Sequence, residues 1–242
     1  MHKAIYLLLC DVGIITNNTL VKTGVVCSYK KLSESFLTSG RLDAEYYQPK
    51  YDMLFEKLRD FPTATIKEIV TIQKSVEPGS EAYQEEGIPF IRVANLSKYG
   101  ISDSDVKLDA AEFADAIRPQ KDAILLSKDG SVGIAYKMEE AQNVITSSAI
   151  LHLYVTSKDV LPDYLTLVLN SVVVRLQAER DAGGSIIQHW KPSEIENVII
   201  PILPMNEQQM IADKIQESFN LRRESEILLQ KAKLLVEEII EK

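Results

Sequence analysis

The chain has 242 residues, a formal net charge of −8, and 45% hydrophobic and 26% charged residues. That length holds one large domain, or a medium domain with an extension, and the composition is that of a soluble protein with enough apolar mass for a core. The acidic balance excludes a protein that coats DNA through a uniformly basic surface, because counterion release wants a positive face.

A reader with a few Lys and Arg on its loops stays compatible with that charge, provided a partner or a second copy helps to hold the duplex. The longest apolar runs, such as residues 5–9, are too short to span a bilayer. Residues 4–10 faintly resemble a signal-peptide core, but Asp11 interrupts them and no clean cleavage site follows. No membrane association and a cytoplasmic location are therefore expected. Cys10 and Cys27 are two cysteines in a large chain, so free thiols are expected rather than a disulfide framework.

Residues 1–40 form an N-terminal segment to which the sequence gives no role. Within it, 5–9 and 24–29 have strand character, with Asn17-Asn18 as a turn. Asp43 offers a helix cap, and Tyr46, Tyr47, Tyr51, Leu54, Phe55 and Leu58 recur at helical spacing. Pro49 marks where the regular helix can begin, and Phe61-Pro62 closes it.

Residues 63–200 change character. Short β-type runs at 69–72, 88–93, 123–127, 132–136, 150–155 and 198–200 alternate with polar, Gly-bearing loops such as Glu77-Pro-Gly-Ser80 and Lys128-Asp-Gly-Ser131. One helix is predicted over 162–180, where Tyr164, Leu165, Val168, Leu169, Val172 and Leu176 recur at three and four. The expected fold class is α/β (α+β), with a mixed, largely antiparallel sheet in a domain over 41–204.

After Pro201 and Pro204 the chain starts again. Asn206 with Gln209 makes a capping-box-like pair, and no Gly or Pro follows up to Lys242. Leu221, Ser225, Leu228, Ala232, Leu235 and Ile239 follow 4-3-4-3-4 spacing, the seam of a coiled coil, with Ile227 and Leu234 widening the stripe. At 1.5 Å per residue the helix is about 55 Å long, more than one small domain needs. It is either a long core helix or, as preferred here, a dimerising rod over 205–242.

Catalytic patterns are missing. The sequence holds no Gly-rich phosphate loop and no nucleophile elbow. His2, His152 and His189 lie far apart without metal spacing, and His152 alternates within an apparent strand as a packed residue would.

The loops carry more. Arg92 suits guanine edges and Asn95 adenine, or else Arg92 pairs with a carboxylate and Asn95 caps a turn; Lys98 and Tyr99 follow closely. Lys74, two residues past the first short strand run, is a further candidate DNA contact. Lys128 and Ser131 flank a tight turn whose amides can hold a phosphate, or they belong to an ordinary hairpin. The 183–191 loop is the most loaded. Arg180, Ser185, Gln188, His189 and Lys191 are its candidate contacts, whereas Trp190 reads better as an anchor.

Four ordered stretches together resemble the specificity subunit of type I restriction–modification systems. They are Arg41-Leu-Asp-Ala-Glu-Tyr-Tyr-Gln-Pro-Lys-Tyr51, Gly87-Ile-Pro-Phe-Ile-Arg-Val-Ala-Asn-Leu96, Asp122-Ala-Ile-Leu-Leu-Ser-Lys-Asp-Gly-Ser-Val-Gly133, and Gly183-Gly-Ser185 leading through the prolines to Glu207-Gln-Gln-Met-Ile211. The resemblance covers roughly 30–242. It implies a non-catalytic target-recognition domain reading one half-site of double-stranded DNA, with S-adenosylmethionine bound on a partner methyltransferase subunit and a restriction subunit as a further partner. Members of that family usually carry two recognition domains and two long helices. This chain has one of each, as a natural half-subunit or a truncated product would, and Leu221, Leu228, Ala232, Leu235 and Ile239 are then expected to pair with a second copy. The rival readings are a self-contained nuclease or methyltransferase with a degenerate motif, and a coiled-coil adaptor whose head binds protein.

Overall fold

The computed structural model describes residues 28–182 and 189–241. The strand expected over 5–9, the Asn17-Asn18 turn, most of the strand expected over 24–29, both cysteines, and the candidates Ser185 and Gln188 lie outside the described residues. In chain order the first elements are α1 (Phe36–Ser39), α2 (Pro49–Leu58), β1 (Thr63–Thr65), α3 (Ile66–Ile69), β2 (Val70–Lys74), β3 (Ile88–Ile91), β4 (Leu96–Ser97), β5 (Gly100–Ile101) and β6 (Lys107–Leu108). After them come β7 (Ile124–Ser127), β8 (Ala135–Lys137), β9 (Ile145–Thr146), β10 (Ile150–Val155), α4 (Pro162–Leu169), α5 (Val172–Asp181), α6 (Pro192–Glu196), β11 (Ile199–Pro201) and α7 (Met205–Ile240).

The centre is an antiparallel sheet in the order β2-β10-β7-β8. Its two central strands, β7 and β10, are buried on both faces, so both are covered. Leu151 and Leu153 of β10, with Ile124 and Leu126 of β7, pack against Tyr164, Leu165 and Val168 of α4. The alternate residues Ile150 and Leu125 turn the other way, onto Ile91, Leu96 and Met138. On that side sits a smaller sheet, β6-β3-β9, whose β3–β9 pairing is parallel. A mixed α/β fold with largely antiparallel sheets and a long C-terminal helix is thus what the sequence led us to expect.

Three expectations need correction. The single helix over 162–180 is two helices, α4 and α5. Between them the Asn170 side chain bonds both the amide and the carbonyl of Ala135, at 3.2 and 2.7 Å, and Ser171 Oγ accepts from Val173 N at 3.2 Å as a new cap. Tying the chain to β8 at that point outweighs continuation of one helix. Second, Asn206 does not cap α7, because Pro204 occupies the cap position and the helix is already running at Met205. Third, Asp43 caps no helix: its carboxylate holds Arg41 at 2.7–2.8 Å, and the regular helix starts at Pro49. That hydrogen bond also lowers the Asp43 pKa. Tyr51, Leu54 and Leu58 of α2 then bury themselves against Val172, Val173 and Leu176 of α5.

The base of α7 is built into the body. Gln208 is fully buried; its Oε1 accepts from Leu161 N at 2.9 Å, and its Nε2 donates to Asp159 O at 2.7 Å and to Leu203 O at 2.8 Å. Ile211 and Ala212 are buried beside it. Beyond them the helix leaves the body, and every residue from Asn220 to Glu241 is exposed. Among the described residues no helix is long and apolar enough to cross a membrane.

His152, on β10, is fully buried, with Nε2 2.8 Å from Thr146 Oγ1 and no partner for Nδ1 among the described residues. Burial pushes its pKa down to about 4 from the usual 6.5. The unfolded chain therefore takes up the proton first. Stability is whole above pH 6.5 and falls as the pH drops toward 4, by roughly 3 kcal/mol if this group acts alone. His152→Gln is expected to flatten that fall, as seen in thermal midpoints recorded between pH 7 and 4. Equal slopes for both proteins would exclude His152 as the cause.

Candidate nucleic-acid interface

Loops from distant parts of the sequence meet at one edge of the two sheets. Because β3 and β9 are parallel, the chain after Ile91 and the chain after Thr146 leave at the same end. Val76, just past β2, bridges Ser147 in that same direction. Ser147 N donates to Ile91 O at 2.8 Å, and Ser148 Oγ donates to Glu77 Oε2 at 2.8 Å. The β7–β8 turn joins them through Lys128 N, which donates to Ala149 O at 2.8 Å. Trp190 N donates to Lys128 O at 2.8 Å, and Asp129 bridges His189, which brings in the loop before α6.

The turn itself is pre-shaped. Gly130 and Gly133 have φ of 69° and 86°, which a side chain would strain. Ser127 Oγ donates to Ser131 O at 2.5 Å and accepts from Ile134 N at 2.9 Å. Lys128 does not present its ammonium to solvent: it is buried and paired with Asp129, whose other oxygen bonds His189 Nδ1. A cation in that position orders Asp129 and His189 rather than reaching outward. Trp190 is fully buried in the core formed by β7, β10 and α4. Its Nε1 has no partner among the described residues. At the Val76–Ser147 bridge the buried hydroxyls of Ser75 and Ser147 also have no partner among the described residues.

The candidates divide cleanly. Lys74 stands at the end of β2 opposite Leu151, and Arg92 follows β3; both are exposed and neither holds an ion pair among the described residues. Ser131, His189 and Lys191 are exposed at the same edge, Lys191 with Glu194 at 3.5 Å. Asn95 is committed to its turn, accepting from Arg92 N at 3.1 Å and donating to Asp103 O at 2.9 Å.

Lys98 and Tyr99 point elsewhere. They form the tip of the β4–β5 hairpin, which leans on α7 so that the Arg222 guanidinium lies 4.3 Å from the Tyr99 ring centre. Arg180 stacks on Phe55 and Tyr46, at 4.6 and 5.1 Å, and pairs with Asp181 at 2.9 Å. Glu77, Ser147 and Ser148 were not foreseen from the sequence. Their only signal is pairing across 71 residues, which leaves no local pattern.

The edge therefore offers two cations without an ion pair among the described residues, hydroxyls and an exposed imidazole, a set that bonds phosphate oxygens and base edges. Among the described residues no group of His, Cys, Asp and Glu is placed to hold a metal.

Comparison with known proteins agrees with this chemistry. Residues 59–230, well over half of the chain, match the family described as the type I restriction modification DNA specificity domain. Among curated proteins nothing matches. Similar solved structures include the S subunit of a type I restriction–modification system from M. genitalium, with 19% identity over 64% of this chain and 38% of that one and a TM-score of 0.48. The HsdS subunit from Thermoanaerobacter tengcongensis is another, with 18% identity over 72% of this chain and 45% of that one and a TM-score of 0.48. The chain thus spans less than half the length of these two structures. By the match over residues 59–230, this chain belongs to the type I restriction modification DNA specificity domain family.

Proposed function

We propose that the chain is the non-catalytic DNA-recognition subunit of a cytoplasmic type I restriction–modification complex. Its head reads one half-site, and its rod pairs with that of a second copy. Methyl transfer from S-adenosylmethionine belongs to a partner methyltransferase subunit, and cleavage to a restriction subunit. The observation that carries this reading is the edge holding Lys74, Arg92, Ser131, His189 and Lys191, assembled from four separate loops in a member of a DNA specificity family. Lys128 contributes by ordering the turn. The partner subunits supply the positive surface that a chain of net charge −8 lacks.

Binding measured in the presence of the modification subunit tests it. Arg92→Ala should cost roughly 1–3 kcal/mol and relax preference at one base position. Lys74→Ala should weaken binding to all sequences alike and reduce the slope of log affinity against log salt by about 1. Affinity unchanged in both variants would point to a protein-binding adaptor instead.

A further inference from the structure

At the candidate edge one carboxylate has both oxygens spent. Asp129 takes the ammonium of Lys128 on Oδ2 and Nδ1 of His189 on Oδ1. The Lys128 side chain is 6% exposed and that of His189 58% exposed, so the three run in a row from the interior outward. We propose that this Lys128–Asp129–His189 row makes His189 a specificity-determining acceptor, whose Nε2 reads the exocyclic amino group of an adenine or a cytosine in the major groove. The inference rests on the DNA-reading function proposed above and names the chemistry that one side chain reads.

The backbone holds the row in place. Asp129 and His189 are antiparallel bridge partners, and Trp190 N donates to Lys128 O at 2.8 Å. Lys128 N donates to Ala149 O at 2.8 Å, and Gly130, with a φ of 69°, turns the chain directly after Asp129. Trp190, next to His189, is fully buried. An imidazole held this way is ordered before DNA arrives, which lowers the entropy lost on binding.

The order of charges decides what the ring offers. A carboxylate only accepts, so the shared hydrogen sits on Nδ1 and the neutral ring turns the lone pair of Nε2 outward. The buried ammonium balances the Asp129 charge, so the carboxylate acts on which nitrogen carries the hydrogen, and it does not repel the phosphates. On the helix that follows, Lys191 and Glu194 lie 3.5 Å apart and answer each other. An outward lone pair is repelled by phosphate oxygens and accepts from N–H groups. In the major groove adenine N6 and cytosine N4 donate, whereas thymine O4 and guanine O6 accept. The row therefore favours A or C over G or T at one position. Lys74, Arg92 and Lys191 cannot make that choice, because their side chains only donate.

The test is selection at about pH 8 from duplexes with a randomised half-site, using the full chain in complex with the modification subunit. The parent is expected to enrich A or C at one position, A naming adenine N6 as the group read and C naming cytosine N4. His189→Ala should flatten that position several-fold and leave the others. Asp129→Asn should do the same and add nothing to His189→Ala, because it acts through the ring. Since Asp129→Asn leaves Lys128 buried without a counter-charge, Lys128→Met with Asp129→Asn is the second variant, and it should flatten the same position. In the DNA-free chain labelled with 15N-histidine, long-range 1H–15N correlations should place the His189 hydrogen on Nδ1. A complex that selects no sequence would overturn the recognition function itself. A selected sequence whose every position survives His189→Ala, a G or T preference at the lost position, or a hydrogen on Nε2 in the parent would overturn the His189 assignment while that function stands.

Discussion

Replacing both Leu228 and Leu235 with aspartate is expected to convert the chain to a monomer, weakening self-association by at least about 100-fold. Each leucine is more than half exposed in the single chain and belongs to none of the packed core clusters of the described residues. Covering such a side chain gives roughly 1.5–3 kcal/mol, and a two-fold interface covers two of each. Aspartate removes that gain and asks the interface to desolvate carboxylates as well, while Glu224, Glu226, Glu237 and Glu238 already crowd the rod. The head should be untouched, because its core ends at Ile211, Ala212 and Ile215. Sedimentation should therefore show a mass of 27.2 kDa for the variant and twice that for the parent, with the buried Trp190 of the head giving the same fluorescence in both at 25 °C. A variant that stays dimeric would place the interface elsewhere.

The second large effect is expected at Trp190. This side chain is fully buried, and its backbone N–H holds Lys128 O, so one residue ties the loop before α6 to the end of β7. Trp190→Ala should cost about 3–5 kcal/mol, the range for emptying a large aromatic site in a packed core. Trp190→Phe keeps a ring and removes Nε1, which has no partner among the described residues, so it should cost about 1–2 kcal/mol. Denaturant titration followed by far-ultraviolet circular dichroism distinguishes them. Equal losses in the two variants would mean that the ring volume is not what holds the loop.

Elements whose pattern is local were legible in the sequence. The β10 run, whose central Leu-His-Leu-Tyr residues alternate between two buried faces, has the expected limits of 150–155, and the long C-terminal helix was plain from its seam and its lack of Gly and Pro. The two-residue strands β4, β5, β6 and β9 escaped, because pairing partners far along the chain define them rather than composition. The helix break at Asn170 depended on a hydrogen bond to Ala135, 35 residues away. Much of the candidate edge was visible as loop chemistry, including Arg92, Ser131 and Lys191. Two features were not. A lysine inside a Gly-bearing turn reads as a surface cation, yet Lys128 is buried on Asp129. Lys98 and Tyr99 follow Arg92 closely in sequence, but the β4–β5 hairpin carries them to α7.

The proposed pairing of rods and readers makes a definite demand on DNA. Two identical heads related by a two-fold axis must recognise an inverted repeat, with a gap set by the rod. The most direct measurement is a base-resolution map of the sites methylated when this chain is combined with its modification subunit. Two inverted copies of one short sequence at a fixed separation are the predicted result, and a single asymmetric half-site would contradict the paired-reader assignment.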